Sequence, residues 1–229
     1  MGAQTLDHIA FPVRDLPRSE KFYQETIGLK FHTQRKNADG SPRHTYVLAG
    51  ENIVGLTLPG VEVPPSETGA PRYAIALESA ARFDAAAEKI RAGGLRADRV
   101  ADHAPDSPWT RSLCFYDPDD NRMEICLRRD SSEECVSHVV FETRDAAKAA
   151  RFYTEALGLK PIGEERGERL FQIENGQILG VKEVKELSER TKKHGRACHV
   201  AFNVSQEDYD RMLVAIPALG GRSLGDHRS

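Results

Sequence analysis

Three histidines stand at the head of alternating apolar stretches. His8 opens HIAFPV, His138 opens HVVFET and His199 opens HVAFNV. A carboxylate, Glu124, lies in a fourth such stretch, and His194 lies in the charged run EVKELSERTKKHGR at 183–196. Imidazole and carboxylate are donors for Fe, Mn, Zn or Ni, and two His with one carboxylate leave positions open on Fe(II) for substrate and dioxygen. Such chemistry needs side chains that converge from separate strands. In an alternating strand, neighbours face opposite sides, so a helix over the apolar face leaves the histidine on the other.

The elements that would position them repeat. His8 to Lys30, HIAFPVRDLPRSEKFYQETIGLK, returns as His138 to Lys160, HVVFETRDAAKAARFYTEALGLK, at one ungapped offset, 138 − 8 = 130. Two copies of this length indicate a duplicated domain rather than a solenoid. The first copy predicts a strand at 5–13, then a helix with Asp15 as cap, Pro17 in its first turn and Gly28 at its end. Strands near 29–36, 43–49 and 52–58 complete a β-α-β-β-β unit. After a Pro- and Gly-rich linker at 59–71, AIALES (74–79) restarts the pattern. A helix ending at Gly93-Gly94 follows, then strands near 95–103, 110–116 and 122–129. Asp117 to Asn121 reads as a turn; it lacks the spacing and closing Glu of a calcium loop.

The third unit is the close copy: a strand at 136–143, a helix at 145–157, and strands near 159–166, 169–174 and 177–182. Residues 183–196 predict a solvated connector or short helix. The fourth unit opens at 198–205, and its helix runs to about Leu219. Eight residues follow Gly221, against 35 after Gly94 in unit two. The fourth unit is therefore expected to lack its last three strands, as in a fragment, since an unfinished sheet leaves an open edge. Phe22/Tyr23 and Phe152/Tyr153 are expected in the core.

The bulk numbers narrow the classes. A length of 229 residues suits two ordinary domains, expected at 1–130 and 131–229. A net charge of −3 and a pI near 6.3 give no basic field for nucleic acid. No apolar run approaches the roughly 20 residues that span a bilayer, and MGAQTLDHIA has no secretory pattern. Met-Gly at the start is a weak match to a myristoylation site, because position 6 is Leu. Cys114, Cys126, Cys135 and Cys198 form no CxxC pair, which argues against a zinc ribbon or disulfide scaffold and for a reducing cytoplasm.

The four units, with YDPDDNRMEI at 116–125 and the two copies above, resemble the vicinal oxygen chelate superfamily of glyoxalases, bleomycin-resistance proteins and extradiol dioxygenases. The resemblance implies an α+β fold in which tandem β-α-β-β-β units pair into cupped mixed sheets, with helices outside. It implies metal ligands from the first strands of paired units and from a carboxylate on a last strand. Pairing the units within each half, His138 and His199 would be the C-terminal ligands, with their carboxylate beyond Ser229. The N-terminal half would offer His8 and Glu124. There Ala74 falls in the partner slot, Arg72 on the same face repels a cation, and Gly55 and Gly180 fill the further Glu slots of glyoxalases. A two-domain extradiol dioxygenase is the first expectation: Fe(II), a catecholic or similar oxygen-chelating substrate, and His194 as acid–base group. A glyoxalase-like lyase or isomerase, with Ni, Co or Zn, and a metal-free antibiotic binder are the alternatives, and Mn, Zn or Ni are the metals that could replace Fe(II). The partner is a small molecule, with self-association left open.

Overall fold

The computed structural model describes residues 2–59, 62–65, 69–193 and 198–222. Unit one comprises β1 (Thr5–Pro12), α1 (Leu16–Phe22), β2 (Lys30–Lys36), β3 (Pro42–Ala49) and β4 (Asn52–Thr57). Unit two has β5 (Arg72–Ala76), α2 (Ala80–Ala92), β6 (Ala101–Asp102), β7 (Trp109–Tyr116) and β8 (Arg122–Arg128). Unit three has β9 (Cys135–Thr143), α3 (Ala146–Glu155), β10 (Lys160–Glu165), β11 (Glu168–Gln172) and β12 (Ile178–Glu183). A short helix α4 (Glu189–Lys193) leads to unit four, which contributes β13 (His199–Asn203) and α5 (Gln206–Ala218). The fold is the expected α+β arrangement of mixed sheets with helices outside.

Local chemistry explains the starts of α1, α2, α3 and α5. Asp15, Ser79, Asp145 and Ser205 each stand in extended conformation, with a side-chain oxygen accepting from the backbone N–H three residues on. Those bonds satisfy N–H groups that the first helical turn leaves unpaired. After α1 the chain continues through a π-helical turn, Tyr23–Ile27, and stops at Gly28, whose φ of 91° suits glycine.

Unit pairing differs from the expectation. The five-stranded sheet runs β13-β1-β4-β3-β2 and joins units one and four. The eight-stranded sheet runs β10-β11-β12-β9-β5-β8-β7-β6 and joins units two and three. In each sheet the two units are joined through antiparallel first strands, β1 with β13 at the edge of the five-stranded sheet and β5 with β9 in the middle of the eight-stranded one. The expected division at residue 130 separates the duplicated segments but not the sheets. The strand expected at 95–103 also shrinks, to β6. Ala97 makes a single bridge to Phe115, and Asp98 and Tyr116 add isolated backbone bonds rather than a ladder.

The outer sheet faces and the helices share one core, including Ile9, Phe11, Tyr23, Tyr73, Phe83, Phe115 and Phe171. Phe11 and Tyr73 belong to different sheets, with ring centroids 5.0 Å apart. Phe22 and Tyr23 are buried as expected, while Phe152 and Tyr153 are half-buried. The Asp117–Asn121 turn docks unit two on unit one. Tyr23 donates to Asp117 Oδ2 at 2.7 Å, the Arg14 backbone N–H to Asp119 at 2.9 Å, and Asn121 to the Pro12 carbonyl at 2.9 Å.

Candidate functional site

Each sheet brings a pair of candidate residues together, and the pairs are not those expected. In the five-stranded sheet, His8 Nε2 lies 3.1 Å from His199 Nε2. Their rings meet edge to face, with centroids 5.1 Å apart. His8 Nδ1 donates to Asp7 Oδ2 at 2.7 Å, which turns the Nε2 lone pair toward His199. His8 is half-buried and His199 is exposed. Gly55 lies opposite Ala10 in this sheet. A Cβ there would meet Ala10 Cβ at 3.2 Å and the Tyr46 ring at 3.5 Å, so Tyr46 leans over the expected Glu slot. A cavity of about 900 Å³ opens beside Asp7, and neither His8 nor His199 lines it.

In the eight-stranded sheet, His138, Ala74 and Glu124 lie side by side on β9, β5 and β8. Alanine leaves room for His138 Nε2 to reach Glu124 Oε2, 3.3 Å away, and both residues are fully buried. Arg72 Nε approaches Glu124 Oε2 at 2.8 Å, and the rest of its guanidinium forks onto Glu168 at 2.8 and 2.6 Å. Arg166 reaches both Glu124 oxygens at 3.2 Å from the β10–β11 turn.

These contacts fix protonation. Burial alone would raise the Glu124 carboxyl, but His138, Arg72 and Arg166 hold it well below the usual carboxylate range. Burial pushes the His138 imidazole down, and the two guanidinia add to this against the pull of Glu124. We therefore assign an ionised Glu124 accepting from a neutral His138. Burial, then Glu124, pushes the Cys114 thiol up to about 12, so it remains a donor to Glu124.

Strand register shows how the two centres correspond. His199 lies opposite Ala10, and Arg72 lies opposite Val140, the counterpart of Ala10 in the 130-residue repeat. Gly55 and Gly180 likewise lie opposite Ala10 and Val140. Arg72 is thus the counterpart of His199; the slot read at Ala74 moves two residues back. His138 and His199 are not brought together, because β13 pairs with β1 and not with β9. Glu124 belongs with His138 and not with His8, for the same reason. His194 lies outside the described residues. The sequence reading does not single out Asp7, Arg166 or Glu168; of these only Arg166 carries a local signal, the two-residue Arg166-Gly167 hairpin turn with positive φ at both positions.

The two centres differ in fitness for a metal. Two cis nitrogen ligands about 2.1 Å from one ion stand roughly 3.0–3.4 Å apart, which the His8–His199 separation matches. Glu124 and His138 do not fit, because two guanidinia already neutralise the buried carboxylate there. Among the described residues no group of three or more His, Cys, Asp or Glu is placed to hold an ion.

The profile of the Glyoxalase/Bleomycin resistance protein/Dioxygenase superfamily matches residues 5–125. The chain belongs to that superfamily. A glyoxalase-like domain profile matches residues 138–229. Superfamily relatives include a lactoylglutathione lyase of Arabidopsis thaliana, 27% identical over 173 residues, covering 72% of this chain and 59% of the relative. A probable chloroplastic lactoylglutathione lyase of the same plant is 25% identical over 67% of this chain and 44% of its own. The chain thus spans less than two thirds of these relatives' lengths. Glyoxalase I from Zea mays superposes with a TM-score of 0.70 at 24% identity, over 96% of this chain and 82% of that one. A putative dioxygenase from Bacillus subtilis gives 0.67 at 16% identity, over 96% and 75%. No described helix is long and apolar enough to cross a membrane.

Proposed function

We propose that this protein is a metal-dependent lyase of the glyoxalase type, working at His8 and His199. The observation that carries this reading is the 3.1 Å approach of the two imidazoles, with Asp7 setting the tautomer of His8. His8 and His199 would hold a divalent ion, which when bound polarises the oxygens of a chelating substrate. Asp7 keeps the His8 Nε2 lone pair aimed at the ion's position and raises its basicity. Gly55 lets the Tyr46 ring pack close beside Ala10, which gives this position an aromatic wall in place of a carboxylate.

The lyase option takes precedence over ring cleavage for two reasons. Two relatives are named lactoylglutathione lyases. The dioxygenase expectation also rested on His138 and His199 sharing one bowl, and the sheet order separates them. The metal is Ni(II), Co(II), Zn(II), Mn(II) or Fe(II), and the substrate proposed is the hemithioacetal of glutathione and a 2-oxoaldehyde. The test supplies each metal in turn with that hemithioacetal and follows thioester absorbance without oxygen. Turnover lost in His8→Ala and His199→Ala is the expected result. Turnover that needs dioxygen and a catechol would instead return the ring-cleaving reading.

A further inference from the structure

The eight-stranded sheet carries a second hydrogen-bonded group, in a different sheet from His8–His199 and beside the His138–Glu124 centre. His103, just after β6, donates from Nδ1 to Glu165 Oε1 at 2.9 Å. Its Nε2 lies 2.8 Å from Ser112 Oγ on β7. Glu165 also accepts from Ser107 Oγ, at 2.9 and 3.2 Å, so the carboxylate is fixed on two sides. With Nδ1–H given to Glu165, the Nε2 lone pair faces Ser112, whose hydroxyl must donate to it. This is the order hydroxyl, imidazole, carboxylate that activates serine as a nucleophile, and it is recognised by geometry rather than by sequence position. The three residues come from units two and three, across the bowl.

Ser112 is 2% exposed, but it lines a cavity of about 420 Å³. That volume is within the usual range for small-ligand sites, about 300–1,000 Å³. Five cationic side chains line it, Arg99 among them; of these, Arg72 and Arg166 are engaged by Glu124 and Glu168, and Arg122 by Asp98. Five cations against Asp98, Glu124 and Glu168 leave a formal surplus of two, which favours an anion.

We propose that Ser112, His103 and Glu165 form a serine hydrolase centre for small esters of anionic acids, independent of the His8–His199 site. Ser112 Oγ attacks the ester carbonyl carbon, forming a C–O bond while its proton passes to His103 Nε2. The bond from that carbon to the alcohol oxygen breaks, and the alcohol leaves with the proton from Nε2. Water then attacks the acyl-serine and gives a proton to Nε2. Ser112 leaves carbon with that proton, and the products are one acid and one alcohol. Glu165 stays ionised and holds the imidazole in place.

The test is run in EDTA, which silences any metal-dependent activity. Full-length protein is treated with a fluorophosphonate, and separately with 4-nitrophenyl hemisuccinate and the neutral 4-nitrophenyl butyrate. We expect one adduct on Ser112 by peptide mass spectrometry and hydrolysis favouring the anionic ester. Ser112→Ala and His103→Gln should lower kcat at least 100-fold with little change in KM and unchanged circular dichroism. Arg99→Ala should raise KM for the anionic ester alone. A folded protein that takes no adduct on Ser112, or whose labelling rate is the same in His103→Gln, would overturn the proposal and leave the three residues as a clasp between units.

Discussion

Arg72 holds in the eight-stranded sheet the register position that His199 holds in the five-stranded one. The two sheets therefore carry equivalent centres with opposite chemistry. One presents paired imidazoles; the other presents an imidazole, a carboxylate and permanent organic cations. An arginine at this position cannot leave as a metal can, since the guanidinium stays charged at any working pH.

Arg72 links two buried carboxylates, so its loss should be costly. Arg72→Met should destabilise the fold by about 3–5 kcal/mol, because Glu124 and Glu168 lose their shared cation. Urea melts would measure it. In an Arg166→Ala background, Arg72→His should give a two-histidine, one-carboxylate set with His138 and Glu124. Its melting temperature should then rise with Ni(II) or Zn(II), where the wild-type eight-stranded centre does not respond.

Asp7 acts on the other centre through His8. Asp7→Asn should weaken metal binding by roughly 10- to 100-fold while leaving the fold intact. Calorimetric titration of the purified protein would show it, with thermal melts as the check on folding.

Asp117 makes stability depend on pH in an uncommon sense. Burial pushes its carboxyl up to about 6, against the lowering by Tyr23 and Asn121. Between its unfolded value near 3.8 and about 6 the folded state binds more protons, so this group's contribution falls as pH rises through that window. The stability advantage of wild type over Asp117→Asn should be larger at pH 4 than at pH 7, by up to about 3 kcal/mol. Paired denaturant melts at the two pH values would measure the difference.

Gly28 closes the first helix with a positive φ, and a Cβ there would meet Arg82 Nη2 at 2.5 Å. Gly28→Ala should destabilise by about 1–2 kcal/mol from backbone conformation alone. Gly40 sits at a similar φ with nothing within 4 Å of a Cβ, so Gly40→Ala isolates the conformational part.

Much of this architecture is legible in the sequence. The 130-residue offset, the Asp and Ser caps and the glycine stops recover the units, because local chemistry sets each of them. Unit pairing is not local. His8, His138 and His199 head similar strands, and nothing in their spacing says which first strands will lie antiparallel. Nothing local therefore separates a His138–His199 pairing from the His8–His199 pairing of the fold, or marks Arg72 rather than Ala74 as the residue opposite Val140. Arg72, Arg166 and Glu168 read as ordinary strand and turn charges until the bowl closes around them. The His103–Ser112–Glu165 group joins segments up to 62 residues apart and leaves no motif in the chain.

The most direct measurement is metal content after reconstitution and desalting, in wild type, His8→Ala, His199→Ala and His138→Ala. One ion per chain is expected in wild type and in His138→Ala, and little or none in the other two. An ion retained in His8→Ala and His199→Ala, or lost in a folded His138→Ala, would contradict this expectation.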